Sequence, residues 1–164
     1  MPDSVSTFNP DPIPWLLSNG DPSVRFFTLT GLLGSSPDSP DAAVARRAIM
    51  TTGMVPAILA VQGDDGHWDG PDSFYTAKYR GTAWTLIILA ELGADGGDER
   101  VRRGCEAILR DAQNRDSGGF ALARSKRAGG GRHSSVVPCL TGNIAWSLLR
   151  LGMLDDPRLR RGID

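Results

Sequence analysis

Apolar side chains recur every three or four positions in several short segments of this chain, and the joints between them are rich in glycine and proline. No stretch shows the period-two alternation of β-branched residues that a strand requires, so the pattern predicts an all-α fold. Asp21-Pro22 has the form of an N-cap followed by proline in the first turn. It opens a helix through Val24, Phe27, Leu29, Leu32 and Leu33 to a stop at Gly34, and Asp11 and Pro12 open a shorter one before it. Further helices are expected over 40–50 and 54–62, the latter with Val55, Ile58, Leu59 and Val61 at its apolar positions. After a glycine-rich loop comes the strongest pattern, 81–92, with Trp84, Ile87, Ile88 and Leu92 on one stripe and a stop at Gly93. Asp98 can cap the next helix, whose Val101, Cys105, Ile108 and Leu109 form a stripe that leaves Arg100, Arg103 and Arg110 toward solvent. A long loop of glycine and arginine follows, then a helix over 140–151 that stops at Gly152, and Asp156-Pro157 opens a last one.

The segments repeat. Ala83-Trp84-Thr85-Leu86 recurs as Ala145-Trp146-Ser147-Leu148, and Asp98-Glu99-Arg100-Val101-Arg102-Arg103-Gly104 recurs as Asp156-Pro157-Arg158-Leu159-Arg160-Arg161-Gly162. Phe26-Phe27-Thr28-Leu29 is a fainter copy. Each unit is a tryptophan-bearing helix, a glycine stop, an Asp-capped helix with an arginine face, and a loop. In this register Ile163 and Asp164 align with Cys105 and Glu106, so the last repeat is expected to be cut short. Either a longer protein or a second copy in a homo-oligomer would then complete its packing surface.

With 164 residues and 40% apolar content, the chain is expected to form one helical repeat domain over 1–164, with generic helical repeats over 1–53 and more regular ones over 54–164. No apolar run approaches the roughly 18 residues a membrane-spanning helix needs, the run Leu86 to Ala90 lying within an amphipathic stretch, so no membrane span is expected. Met1-Pro2-Asp3-Ser4 lacks the basic start of a secretory signal, which makes a cytoplasmic location the expectation. A net charge of −1 argues against a general nucleic-acid binder. Cys105 and Cys139 lack the paired spacing of a zinc site or redox dithiol and are expected to be buried, reduced thiols.

Gln62-Gly63-Asp64-Asp65-Gly66-His67-Trp68 fits the spacing Gln-x3-Gly-x-Trp, and Gln113 to Phe120 is a relaxed second copy in which Gly118 and Phe120 take the glycine and aromatic places after one extra residue. A glutamine at a helix end can satisfy backbone groups left unpaired there, while the glycine permits a tight turn that lays the ring against the neighbouring helix. These two motifs, each after a helix in register with the repeat, resemble the glutamine and tryptophan signature of squalene and related triterpene cyclases, whose α/α toroid is shared with protein prenyltransferases. The resemblance covers roughly 54–164. It implies toroid-like helix pairs, about three of them, forming an open arc, and a structural role for Gln62, Gly66, Trp68, Gln113, Gly118 and Phe120.

The family's Asp-x-Asp-Asp acid motif has no counterpart here, so the catalytic residues are unknown. Asp64, Asp65 and Asp69 superficially look like an Asp-Asp-x-x-x-Asp magnesium site, against the alternative of a solvated acidic turn. Zinc would need His133 and Cys139 with further ligands such as His67, against a reading in which the thiol of Cys139 packs inside. Tyr75, Lys78, Tyr79, Arg80 and Trp84 follow the first signature turn, where the resemblance places a cavity mouth. Aromatic rings there suit an isoprenoid chain; the alternative is that Trp84 is core and the tyrosines close the packing. Arg124, Lys126, Arg127 and Arg132, among the glycines of the long loop, suit an anion such as a diphosphate, with the helix opening between Pro138 and Asn143 adding its dipole; a solvated loop is the alternative. Two functions follow as expectations. One is a terpenoid cyclase- or prenyltransferase-like protein binding an apolar, isoprenoid-like ligand; the other is a non-catalytic helical repeat module for protein–protein interaction.

Overall fold

The computed structural model describes residues 11–163, and within them the chain is all-helical, with isolated β-bridges but no strand. Met1 to Ser4 and Asp164 lie outside the described residues, and with them the residues on which the expectations about a secretory signal and a cut-short last repeat rest. The chain forms two compact units, one up to Gly53 and one from Met54.

In the first unit, α1 (Ile13–Asn19) follows Asp11, whose carboxylate accepts from the N–H of Ile13. Asp21 caps α2 (Pro22–Phe27) through the N–H of Ser23. The helix then widens into a π-helical turn over Thr28–Leu32, with Thr30 Oγ1 donating to the carbonyl of Phe26, before stopping at Gly34 with φ 64°. Leu29 packs with Ala42 and Ala45 of α3 (Pro40–Ile49), flanked by Leu17 and Phe26. Leu32 and Leu33, expected on the core stripe, are exposed, because the π turn rotates the end of the helix away from it. By length and composition the stretch 40–60 would pass for a membrane span, but it is two short helices parted by a turn at Gly53, φ 82°.

The second unit contains α4 (Met54–Ala60), α5 (Thr82–Glu91), α6 (Glu99–Asp111), α7 (Pro138–Arg150) and α8 (Pro157–Ile163). α5 packs against α6 and, most extensively, side by side with α7, while α8 packs on α7. α5 is apolar nearly all round. Its most buried residues are Thr82, Ala83, Thr85, Leu86, Leu89 and Ala90, so Trp84, Ile87 and Ile88, the stripe expected to face the core, are only half-buried. The stripe of α6 is buried as its pattern predicts, and burial pushes the Cys105 thiol up to about 12.

Two glutamines join the repeats. Gln62 Nε2 donates to the carbonyls of Gly66 (3.0 Å) and Arg100 (2.9 Å), and Gln113 Nε2 donates to those of Gly118 (2.8 Å) and Arg158 (2.6 Å). Each amide therefore closes its own turn and grips the first turn of the next Asp-capped helix. The glycines are required. Gly66 (φ 87°) and Gly118 (φ 74°) have positive φ, and a Cβ would stand 2.5 Å from the carbonyl oxygen of Arg103 in one case and 2.1 Å from that of Arg161 in the other. Trp68 donates from Nε1 to the carbonyl of Ile58 (2.8 Å) and lays its ring on Gly104, while Phe120 is fully buried beside Gly162. The two caps repeat as well: Asp98 accepts from the N–H and guanidinium of Arg100, and Asp156 from those of Arg158.

Candidate functional site

The loop between Trp68 and α5 is anchored by buried Phe74, whose carbonyl accepts from the N–H of Ala83, and by a hydrogen bond from Ser73 Oγ to the carbonyl of Asp69. From this anchor Tyr75 and Tyr79 reach the ring of Trp84, at centroid distances of 5.6 and 6.0 Å, and Trp84 Nε1 donates to the carbonyl of Tyr75. Together with Thr76 and Lys78 the three rings line a hollow of about 430 Å³. Lys78 has φ 52°, the one positive value outside glycine among the described residues, and its exposed side chain stands on the lining of this hollow. Tyr75 and Trp84 also line a smaller hollow of about 120 Å³ with Ala83 and Ile87 of α5 and Cys139, Leu140 and Asn143 of α7. The structure thus brings Tyr75, Lys78, Tyr79, Trp84 and Asn143 together around two hollows that share Tyr75 and Trp84. Arg80 instead lines a separate groove with Ile58, Val61 and Ile88.

The basic loop is ordered by its own backbone. Antiparallel bridges join Gln113 to Phe120, Ala121 to Val136 and Arg124 to Gly131, and a turn at Ser125–Gly130 closes it. Arg124 faces inward, its Nε 3.1 Å from Asp111 Oδ1, held there by charge and not by an aligned hydrogen bond, so this guanidinium is committed to the fold. Lys126 lies 3.8 Å from Asp72 of the aromatic loop, which sets the two loops side by side, while Arg127, Arg132 and His133 are exposed.

Sequence reasoning missed the buried polar centre of this unit. His67 Nδ1 lies 2.8 Å from Thr82 Oγ1 and His67 Nε2 lies 2.9 Å from Asp111 Oδ2, all three residues being at most 2% exposed. An ionised carboxylate can only accept, so Nε2–H donates to Asp111, with Arg110 Nη2 3.3 Å from the same nitrogen, and Thr82 Oγ1, which faces Nδ1, accepts from the N–H of Trp68 at 3.4 Å. Arg110 adds a hydrogen bond from Nε to Asp111 Oδ2 at 2.9 Å. Burial works against a charge on Asp111. The hydrogen bonds from His67 and Arg110 and the charges of Arg110 and Arg124 outweigh it and hold the carboxyl below the ordinary carboxylate range. The network ties the first signature turn, the start of α5 and the end of α6 together. A hydroxyl, an imidazole and a carboxylate in line have the order of a hydrolytic triad, but all three are buried and each is held by a different segment of the unit, the arrangement of a structural joint.

The candidate metal ligands do not converge: among the described residues no three histidine, cysteine, aspartate or glutamate side chains gather. Asp65 turns its carboxylate to the N–H of His67, Asp64 and Asp69 are exposed around the same turn, and His67 is consumed by Thr82 and Asp111. Cys139, expected to pack inside, is exposed in the first turn of α7, whose inward place is taken by buried Leu140. Compared with family models, curated proteins and solved structures, the chain matches none.

Proposed function

We propose that this chain is a terpenoid cyclase- or prenyltransferase-like helical repeat protein that binds an apolar ligand with an anionic head, of the isoprenoid diphosphate class. The observation that carries the reading is the hollow framed by Tyr75, Tyr79 and Trp84 with Lys78 on its lining, next to the α5–α7 cleft, with which it shares Tyr75 and Trp84. Rings and aliphatic side chains suit a prenyl tail, and the ammonium, with Lys126 on the adjoining loop, suits the head. The paired helices α5 and α7 and the two glutamine joints support a toroid-like arrangement. The exposure of Trp146, with Arg150 over its ring at 5.3 Å, and of Leu149 beside it favours a second reading, a surface on α7 for a protein partner, including another copy of this chain.

Titrating the chain with geranylgeranyl diphosphate while following tryptophan fluorescence, with light-scattering mass in parallel, tests the first reading. Saturable quenching that Trp84→Phe removes and Lys78→Gln weakens is expected. A chain indifferent to prenyl diphosphates defeats this reading and leaves the partner surface on α7.

A further inference from the structure

A further hollow, of about 320 Å³, opens between α6, the turn after it and α8, lined by Glu106, Leu109, Arg110, Arg115, Arg158 and Arg161 around the Gln113 joint. Two of these guanidiniums are spoken for. Arg158 forks onto Glu106 at 2.7 and 2.6 Å while also serving Asp156, and Arg110 is held by Asp111 and by the carbonyl of Asp65. Asp111 has to serve Arg124 as well, so its one carboxylate answers two guanidiniums. Arg115 and Arg161 have no carboxylate within ion-pair distance among the described residues.

Their placement is specific. The Arg115 guanidinium rests on the turn at Gly129 and Gly130, where a Cβ on Gly129 would stand 2.9 Å from Nη2, so the absence of side chains there lets the guanidinium lie across the turn. Arg161 is the repeat counterpart of Arg103. Arg103 reaches the oxygen of its glutamine joint, Gln62 Oε1, at 3.5 Å; no such bond ties Arg161 to Gln113, and Arg161 lines the hollow instead. The first copy of the repeat closes its arginine onto the joint, and the second presents it.

We infer that this hollow is a binding site for a compact phosphate-bearing anion, with Arg115 and Arg161 as its ligands and the Arg158–Glu106 pair as a fixed wall. Arginine forks match the oxygens of a phosphate two at a time, and a carboxylate already satisfied by Arg158 does not repel the incoming anion as a free one would. The inference is independent of the aromatic hollow and its ligand.

Calorimetric titration with inorganic phosphate and with pyrophosphate, at fixed ionic strength set by chloride, tests it. Saturable one-to-one binding is expected, weakened about tenfold or more in R115Q/R161Q and also in R115K/R161K, where charge is kept and the fork is lost. Weakening in K78Q equal to that in R115Q/R161Q would place the anion at the aromatic hollow instead and sink the assignment. Heat that tracks ionic strength alone, or binding that survives both double variants, overturns the assignment. Weakening in K126Q/R127Q equal to that in R115Q/R161Q overturns it too, by moving the anion to the other loop. Among the described residues neither Arg115 nor Arg161 pairs with a carboxylate, and circular dichroism of the lysine variant checks that the fold is kept.

Discussion

The amide of Gln62 crosses 38 residues of sequence to donate to the carbonyl of Arg100, and it does so from a turn whose own carbonyl, at Gly66, it also holds. Gln62→Glu keeps the shape and removes both donors, leaving a carboxylate facing two carbonyl oxygens. A loss of about 2 kcal/mol is expected in urea unfolding followed by circular dichroism. Gln113→Glu should cost at least as much, since Gln113 is the more buried of the pair. A neutral result at both positions would show that neither amide holds the repeats together.

Gly118→Ala is expected to destabilise the chain by about 2 kcal/mol or more, because the new methyl meets a main-chain carbonyl and the backbone is in the left-handed region. Gly142→Ala, where a Cβ meets nothing within 4 Å, is the control and should be neutral or mildly stabilising. The midpoints of the two variants in one thermal scan decide the matter.

His67→Ala strips a buried carboxylate and a buried hydroxyl of their shared partner. About 3 kcal/mol of stability should go with it. Asp111 keeps Arg110 and Arg124, so Asp111→Asn is a different lesion: it leaves those two guanidiniums without their carboxylate. If His67→Ala unfolds at the parent's midpoint, the network is not a joint.

The sign of the acid response follows from three carboxylates whose folded values lie below the ordinary range: Asp111, Asp98 beside the Arg100 guanidinium and Asp156 beside that of Arg158. Stability from such groups is fully present above the unfolded carboxylate value, near pH 4, and is lost as pH falls through the lower folded values. Thermal midpoints measured from neutral pH downward should therefore hold to about pH 4 and then drop, and Asp111→Asn should show a lower midpoint with a shallower drop. An equally steep drop in that variant would assign the acid lability elsewhere.

One thiol per chain is expected to react quickly with a disulfide reagent under native conditions, and the second only on unfolding. Cys139 is exposed at the start of α7, whereas Cys105 is fully buried with its thiol pushed up to about 12. Cys139→Ser removes the fast phase.

The sequence shows most clearly what acts over a few residues. The caps at Asp21, Asp98 and Asp156 bond the N–H two positions on, and the stop at Gly34 is a single backbone conformation, so each can be read from its neighbours. The apolar stripe of α6 was legible for the same reason; that of α5 was not, because a helix with few polar residues has no periodicity to orient it. The aromatic hollow could be read in part, since Tyr75, Tyr79 and Trp84 lie close in the chain. His67 and Asp111 are 44 positions apart, and nothing in either segment marks the other as its partner. Arg124 shows the opposite error: a glycine-rich basic segment reads as free anion-binding side chains until its bridges turn one of them inward.

Both glutamine joints grip main chain, Arg100 and Arg158 being held by their carbonyl oxygens and not by their side chains. A clasp of this kind is blind to the identity of the residue it holds. When the segment is duplicated, the new copy docks without any matching change in its neighbour, and the side chains beside the joint are released to make different contacts, as Arg103 and Arg161 do.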